Sequence, residues 1–307
     1  MIQTVFSTAL PVDERLMIKK NTIRNGTGSR RVCVVTGTHG DELEGQMVCY
    51  EVSRLAQADI ARLDGQIDIY PALNPLGIDA IQRGIPNFDL DMNRIFPGSE
   101  NGTMAEQAAH AVIEDLLGAD LVLDVHSSNL YLRETPQVRI NVLDEQTLVP
   151  LAKHLNVDFV WIHDSATVLE ATLARSLNSR GTPCLVVEMG VGQRINHRMC
   201  SRLVTGIFNL MSMLGMWKSD SDEVLTEPIV CKGDSVEFLN AATSGIFLTD
   251  LKCGLVVAEG EQIGEIVAPL TGTVLSRVIS PCEGYMFTIR AYPIVYEGSL
   301  MARICRM

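Results

Sequence analysis

A histidine, an aspartate and two glutamates follow an apolar run in the stretch VVTGTHGDELEGQ, residues 34–46. His39 and Glu42 stand in an H-x-x-E spacing, so one tight turn can present both side chains to the same ligand. Burying such groups without partners is costly. The stretch therefore forms either a solvated loop or part of a site that holds a cation.

Three more polar residues stand at or near the carboxyl ends of apolar, strand-like runs: Asn74, His126 and Glu188. In open α/β sheets, ligands bind outside the carboxyl ends of the strands. We therefore predict that these side chains meet His39 and Glu42 at one edge of a central sheet.

His39, Glu42 and His126 make two imidazoles and one carboxylate, a set that suits a catalytic zinc with one position open for water. Bound zinc lowers the pKa of water and polarises a carbonyl group. Glu188 is then the predicted general base, and Asp124 is predicted to hold the second nitrogen of a ligand histidine. The H-x-x-E spacing alone is a weak signal, because each of these groups also suits a helix cap or a solvated turn.

The segment NPLGIDAIQRGIPNFDLDMNRIFPG (74–98) carries candidate anion-binding residues. Asn93 and Arg94 place an amide beside a guanidinium, which suits a substrate carboxylate. Arg83 could stabilise the oxyanion that forms when water attacks a carbonyl. The alternative is a polar surface loop, but basic groups in an acidic protein favour a small anionic substrate.

Composition narrows the possible partners and the compartment. The 307-residue chain has a formal net charge of −12, which disfavours nucleic acid and anionic membranes as partners. The first twenty residues lack a secretion signal, and the most apolar segment (206–217) is too short to span a bilayer. We predict a cytoplasmic protein whose eight cysteines are buried reduced thiols rather than disulfides.

Periodicity predicts alternating strands and helices, which is typical of an α/β domain with a largely parallel sheet. The predicted strands lie at 31–36, 66–73, 119–128 and 183–190, and the predicted helices at about 42–57, 105–118, 166–180 and 196–217.

The polar stretch KSDSDEVLTE (218–227) predicts a boundary between a catalytic domain (1–222) and a β-rich module (223–307). The module resembles the barrel-sandwich pattern of biotinyl and lipoyl domains, but it lacks a lysine in the turn that carries their cofactor. We therefore predict a structural role or a lid over the active site. Its apolar residues could also serve a subunit interface, so a homo-oligomer stays open.

Five motifs follow one another along the chain: THGDE (38–42), NP (74–75), DMNRIFPG (91–98), DVHSS (124–128) and VVEMG (186–190). In this order they resemble the succinylglutamate desuccinylase and aspartoacylase family, a zinc-dependent deacylase branch of the metallocarboxypeptidases. The resemblance implies a carboxypeptidase-like α/β/α sandwich with a mostly parallel mixed sheet.

The resemblance also implies roles for individual residues. One zinc ion per chain would be bound by His39, Glu42 and His126, with Glu188 as general base. Asn93 and Arg94 match the family's carboxylate-binding pair, and Arg83 resembles its oxyanion-stabilising arginine.

Two departures from the family concern the substrate pocket. The family's substrate-contacting tyrosine has three candidates here: Tyr285, Tyr292 and Tyr296. Segment 127–140 is unlike that of vertebrate aspartoacylases. Its Arg133 and Arg139 either shape the pocket or lie at the surface, and we place Arg139 at the surface. The ordinary acetylaspartate specificity is therefore not assumed.

These residues predict a zinc-dependent hydrolase that cleaves the amide of a small N-acyl amino acid. Two alternatives remain at this point: a zinc carboxypeptidase that acts on peptides, and a non-catalytic metabolite-binding protein.

Overall fold

A mixed β-sheet with helices on both faces dominates the computed structural model, which describes residues 1–86, 88–164, 171–219 and 226–307. The strands are β1 (Ile2–Ala9), β2 (Arg15–Asn25), β3 (Arg31–Thr36), β4 (Gly65–Tyr70), β5 (Leu121–Ser127), β6 (Leu132–Asn141), β7 (Phe159–His163), β8 (Cys184–Gly190), β9 (Ile229–Lys232), β10 (Val236–Asn240), β11 (Gly245–Leu248), β12 (Leu255–Val257), β13 (Gln262–Ala268), β14 (Thr273–Ile279), β15 (Gly284–Arg290), β16 (Ile294–Val295) and β17 (Leu300–Arg306). The helices are α1 (Glu44–Ala58), α2 (Pro75–Ala80), α3 (Met104–Leu116), α4 (Glu145–Ala152), α5 (Leu173–Asn178) and α6 (His197–Met213).

The predicted elements of the N-terminal part are present. The four predicted strands correspond to β3, β4, β5 and β8, and the predicted helices correspond to α1, α3, α5 and α6. Thr103 caps α3 in a capping box with Glu106, as its position at the start of an apolar-periodic run predicts. Residues 166–170 of the third predicted helix lie outside the described residues.

Parallel pairing brings together the ends of the strands that precede the predicted site residues. Strand β3 lies between β4 and β5 and is parallel to both, and β8 is parallel to β5. The carboxyl ends of these four strands therefore meet at one edge of the sheet, as the α/β prediction requires.

Helices cover both faces of this sheet. On one face, α1 packs against α6 through buried residues such as Val48, Val52 and Leu203. On the other face, α3 and α5 bury Val112, Ile113 and Leu177. Each helix therefore buries one apolar stripe against the sheet, and the outcome is the predicted α/β/α sandwich.

Strand β6 was not predicted, because its sequence lacks the alternation of apolar and polar residues that is typical of a strand. It is antiparallel to β8 and parallel to β7, and its buried positions include Glu134 and Gln137. Charged and amide side chains at buried positions give no apolar periodicity, so the local sequence does not show the strand.

The C-terminal residues are all-β in outline, as predicted, but some of their strands extend the main sheet. Strand β15 pairs with β6, and β17 and β10 continue the order. Strands β14, β13, β11 and β16 form a separate antiparallel sheet. The predicted boundary after residue 222 lies in segment 220–225, which is not described, so the two-domain division stays a prediction.

The expectation that all eight cysteines are reduced is wrong for two of them. Cys231 on β9 and Cys305 on β17 form a disulfide across 74 positions of the chain. They lie in an apolar cluster with Phe159 and Phe287, so long-range packing brings together two thiols that no local motif pairs. The other six cysteines are free.

Within the described ranges, no helix is both long and apolar enough to cross a membrane.

Candidate metal centre and active-site cavity

The turn after β3 presents His39 and Glu42 at the sheet edge. Gly40 packs so closely on α2 that a Cβ there would lie 1.9 Å from the carbonyl carbon of Gly77. The Gly40 amide also donates to the Gln82 carbonyl oxygen at 3.0 Å. This close approach fixes the turn, and it requires glycine at that position.

The turn and the end of β5 bring three potential metal ligands together. If one potential ligand atom is taken from each of His39, Glu42 and His126, the three atoms lie within 4.8 Å of one another. His39 Nδ1 lies 2.7 Å from Glu42 Oε1, and His126 Nδ1 lies 2.8 Å from Glu42 Oε2. Each of these residues is only 3% exposed. The predicted H-x-x-E pair and the histidine from another strand therefore converge.

Two carboxylates face the opposite nitrogens of the histidine rings. Asp124 Oδ2 lies 3.1 Å from His126 Nε2, and Asp91 Oδ1 lies 3.0 Å from His39 Nε2. Carboxylates in this position orient a ligand histidine and fix its tautomer. Asp124 was predicted in this role. Asp91 was missed, although it stands in the DMNR motif.

The electrostatics of the cluster favour a cation. Burial opposes ionisation of Glu42, but the charges of His39 and His126 hold the pKa of its carboxyl below the usual range. Burial alone would lower the pKa of His126, yet Asp124 and Glu42 raise it well above the ordinary value. Three carboxylates thus surround the two imidazoles, and positive charge is favoured between them.

The donor set fits a metal ion with nitrogen and oxygen ligands. His39 Nδ1 is buried, and among the described residues it makes no hydrogen bond of acceptable geometry, although Glu42 Oε1 is close. The nitrogen lone pair of His39 and the carboxylate oxygen of Glu42 thus point to the same place without a well-formed hydrogen bond. This arrangement suits a cation that both atoms bind. Two imidazoles with one carboxylate form the ligand set of hydrolytic zinc sites.

Glu188 stands on the strand next to the cluster of potential metal ligands. Its Cα is paired in register with that of His126 across β8 and β5. Burial raises the pKa of its carboxyl to about 7, although the charge of Arg139 acts in the opposite direction. A carboxylate with a pKa near neutrality matches the requirements of a general base.

The loop after α2 supplies the three predicted anion-binding residues. Arg83 Nη1 donates to Glu42 Oε1 at 2.9 Å, and its Nη2 lies 3.4 Å from Asp91 Oδ2. Asn93 Oδ1 accepts from the Leu173 amide at 3.0 Å. Arg94 is exposed, and its Nη1 donates to the Asn93 carbonyl oxygen at 2.7 Å.

A cavity of about 250 Å³ connects these groups. Its walls include six of the predicted site residues: His39, Arg83, Asn93, Arg94, His126 and Glu188. Glu42 is not in the walls, but it contacts both histidines. The walls also include apolar residues such as Ile140, Leu148 and Val186.

Two sequence-based placements are corrected by the structure. Arg139, which we placed at the surface, lines the cavity and is 25% exposed, with Nη1 3.1 Å from Glu188 Oε1. Asn74, which we expected at the site, instead caps α2 by accepting from the Gly77 amide and donates to the Gly84 carbonyl oxygen. Asn74 therefore fixes the backbone beside Arg83 and is not part of the cavity wall.

The three candidate tyrosines lie outside the cavity wall formed by described residues. Tyr285 is buried and stacks on Phe159, Tyr292 makes an edge contact with Tyr131, and Tyr296 is exposed. The described residues that line the cavity all lie between positions 39 and 188, and none of them comes from the C-terminal module. The predicted role of that module as a cover for the active site therefore stays a prediction.

The family model of the succinylglutamate desuccinylase/aspartoacylase catalytic domain matches residues 29–214. The chain belongs to this family. The match spans every strand end and loop that supplies a wall residue of the cavity. The resemblance seen in the five sequence motifs is thereby confirmed.

One relative of the chain is a deacetylase. The N-alpha-acetyl-L-2,4-diaminobutyric acid deacetylase of Halomonas elongata is 24% identical over 259 residues, which cover 82% of this chain and 74% of that protein.

Solved structures share the fold. The product-bound ectoine utilization protein EutE (DoeB) of Ruegeria pomeroyi has a TM-score of 0.84 at 22% identity, covering 98% of this chain and 93% of that one. A succinylglutamate desuccinylase/aspartoacylase of Rhodobacter sphaeroides has a TM-score of 0.82 at 22% identity, covering 99% and 95%. These likenesses confirm the predicted fold class.

Proposed function

We propose that this family member is a zinc-dependent deacylase that hydrolyses the amide of a small N-acyl amino acid. The observation that carries the proposal is the convergence of His39, Glu42 and His126, two of which share the cavity wall with Glu188. Membership of a deacylase family supports it. The activity of the Halomonas relative, a deacetylase of an N-acetylated amino acid, supports the substrate class.

His39, Glu42 and His126 would hold the zinc ion, and Asp91 and Asp124 would orient the two imidazoles. When bound there, zinc supplies an activated water and polarises the carbonyl of the scissile amide. Glu188, with its pKa near 7, accepts a proton at its carboxylate from the attacking water. It then donates that proton to the leaving nitrogen, which departs as an amine.

The arginines of the cavity hold and orient the substrate. Arg94 and Asn93 bind a substrate carboxylate and so fix the position of the scissile amide relative to Glu188. Arg83 lies at the metal-ligand cluster, 2.9 Å from Glu42, where its charge stabilises a developing oxyanion. No carboxylate of the described residues forms an ion pair with Arg94, so its charge is available to an anionic ligand.

The cavity, at about 250 Å³, lies near the lower end of the roughly 300–1,000 Å³ of pockets that enclose drug-sized ligands, and it therefore suits a small substrate. Comparison of acyl amino acids with dipeptides as substrates separates a deacylase from a peptide-cleaving carboxypeptidase.

The test is amine release from a panel of N-acetyl, N-formyl and N-succinyl amino acids, with dipeptides as a comparison. The full-length protein would be assayed after chelator treatment and again after zinc is restored, with Glu188→Gln as the matched inactive control. We expect chelator-sensitive turnover of at least one acyl amino acid. Faster turnover of dipeptides, or turnover that survives complete metal removal, would overturn the proposal.

A further inference from the structure

We propose that Arg303, from the C-terminal β-rich part, is a positioning residue for Glu188 that acts through Glu134 and Arg139. These four residues are named here the Glu134 cluster. The inference rests on the proposed function, since it assumes that Glu188 is the general base. It adds a residue more than a hundred positions away from that base.

Arg139 is the link that touches Glu188. Its Nη1 lies 3.1 Å from Glu188 Oε1, while its Nη2 lies 2.9 Å from both carboxylate oxygens of Glu134. The guanidinium is planar and rigid, so anchoring one nitrogen fixes the direction of the other. Glu134 therefore determines where Arg139 presents its Nη1 atom to Glu188.

Glu134 is buried, at 1% exposed, and it is held from the other side by the C-terminal strands. Arg303 Nη1 donates to Glu134 Oε1 at 2.6 Å, and Thr288 Oγ1 donates to the same oxygen at 3.2 Å. Thr288 on β15 is paired in register with Glu134 on one side and with Arg303 on the other. The three residues thus form one row across β6, β15 and β17.

Charge balance explains why Arg303 matters for the position of Arg139. Two arginines and two glutamates give the Glu134 cluster a net charge of zero. If Arg303 loses its charge, Arg139 alone must serve two carboxylates, and Glu134 pulls its guanidinium away from Glu188. A buried carboxylate that loses one of its cationic partners is costly, so this rearrangement is strongly favoured.

One aromatic ring, that of Trp161, lies beside both guanidinium groups of the Glu134 cluster. The guanidinium carbons of Arg139 and Arg303 lie 5.6 Å and 5.4 Å from the centre of the Trp161 ring. Arg303 also lies 5.7 Å from the centre of the Phe238 ring. These contacts hold the two cations in fixed places.

Arg303 is absent from the described cavity wall, so it acts on Glu188 without contacting substrate. A change at Arg303 should therefore alter kcat and leave KM and zinc content nearly unchanged. A purely structural role would instead lower the melting temperature and the fraction of folded enzyme, and kcat per zinc-containing active site would then stay at the wild-type value.

The experiment compares Arg303→Met and Arg303→Lys in the full-length, zinc-loaded protein. The matched control is Arg306→Met, which removes an exposed ion pair with Glu237 from the same strand. We expect Arg303→Met to lower kcat by up to about 100-fold, the loss that a misplacement of about 1 Å can cause. KM and bound zinc should stay within about twofold of wild type, Arg303→Lys should recover much of kcat, and Arg306→Met should behave as wild type.

A second variant keeps the inference falsifiable if Arg303→Met does not fold. Glu134→Gln preserves the side-chain shape and removes the charge that joins the two arginines, so it should lower kcat similarly. In the Glu134→Gln background, changing Arg303 should have no further effect on kcat, since the coupled residues share one path. Independent, multiplicative losses would overturn the inference, as would wild-type kcat in Arg303→Met.

Turnover by the wild-type protein distinguishes failure of this inference from failure of the proposed function. If zinc-loaded wild type turns over no acyl amino acid or peptide, the proposed function fails and the inference falls with it. If wild type is active and both Glu134→Gln and Arg303→Met keep its kcat, only the inference fails.

Discussion

Asp91 Oδ1 lies 3.0 Å from His39 Nε2, on the opposite side of the imidazole from Glu42. Asp91 also accepts from the Asn93 amide at 2.8 Å. One carboxylate therefore joins the metal-ligand turn to the loop that carries Asn93 and Arg94. The proposed metal ligand and the proposed carboxylate-binding pair are positioned by the same side chain.

Asp91→Ala should weaken zinc binding by about 10- to 100-fold, the usual effect of removing a carboxylate that orients a ligand histidine. Competition with a zinc chelator measures this affinity directly. Asp89→Asn, two positions away in the same loop, is the control and should bind zinc as wild type does. Unchanged zinc affinity in Asp91→Ala would show that the carboxylate does not orient His39.

His126→Ala should lose most of the bound zinc, since it removes one of three protein ligands. Metal content per chain after desalting is the measurement. His197→Ala removes an exposed histidine at the start of α6, and it should retain the full equivalent. Retention of one zinc per chain by His126→Ala would contradict the ligand assignment.

The rate should fall at acidic pH because Glu188 must be ionised to accept a proton. Burial raises its pKa to about 7, so kcat/KM should decrease about tenfold per unit as the pH falls below that value. Glu188→Gln should keep its zinc and lose turnover by orders of magnitude. A flat profile between pH 5 and about 8, or near-normal kcat in Glu188→Gln, would argue against this base.

Arg94→Ala should reduce kcat/KM for carboxylate-bearing substrates far more than for their amide analogues, because the guanidinium pairs with the charge. Arg194→Ala is a matched control: both arginines donate from Nη1 to the carbonyl oxygen of the preceding residue, at 2.7 Å and 2.8 Å. The control should leave both kinetic constants unchanged. Equal losses on acid and amide substrates in Arg94→Ala would exclude a carboxylate-binding role.

Cys231→Ser should lower the free energy of unfolding, since the disulfide to Cys305 closes a loop of 74 positions. Loop-entropy arguments give a loss of about 4 kcal/mol for a loop of this size. Chemical denaturation with and without reductant measures it, and Cys282→Ser, at a free thiol, is the control. Equal stability of wild type under both conditions would show that the bridge contributes nothing.

The local sequence was sufficient to predict those strands and helices whose own residues show an apolar run or a helical periodicity. Strand β3 is a continuous apolar run and α3 has helical spacing with Thr103 at its cap, so both follow from short-range physical rules. The sequence also pointed to the proposed metal ligands His39, Glu42 and His126. Each stands at the end of such a run, and parallel strands bring their ends to one edge.

Tertiary structure alone decided the position of Arg139, the pairing of Cys231 with Cys305 and the extension of the sheet by C-terminal strands. Arg139 stands on β6 beside buried charged residues. It pairs with Glu134 on the same strand and with Glu188 on β8, and Glu134 in turn pairs with Arg303 on β17. Such contacts depend on which strands pair and in which register. That choice is made by packing over the whole molecule, because no local preference encodes it.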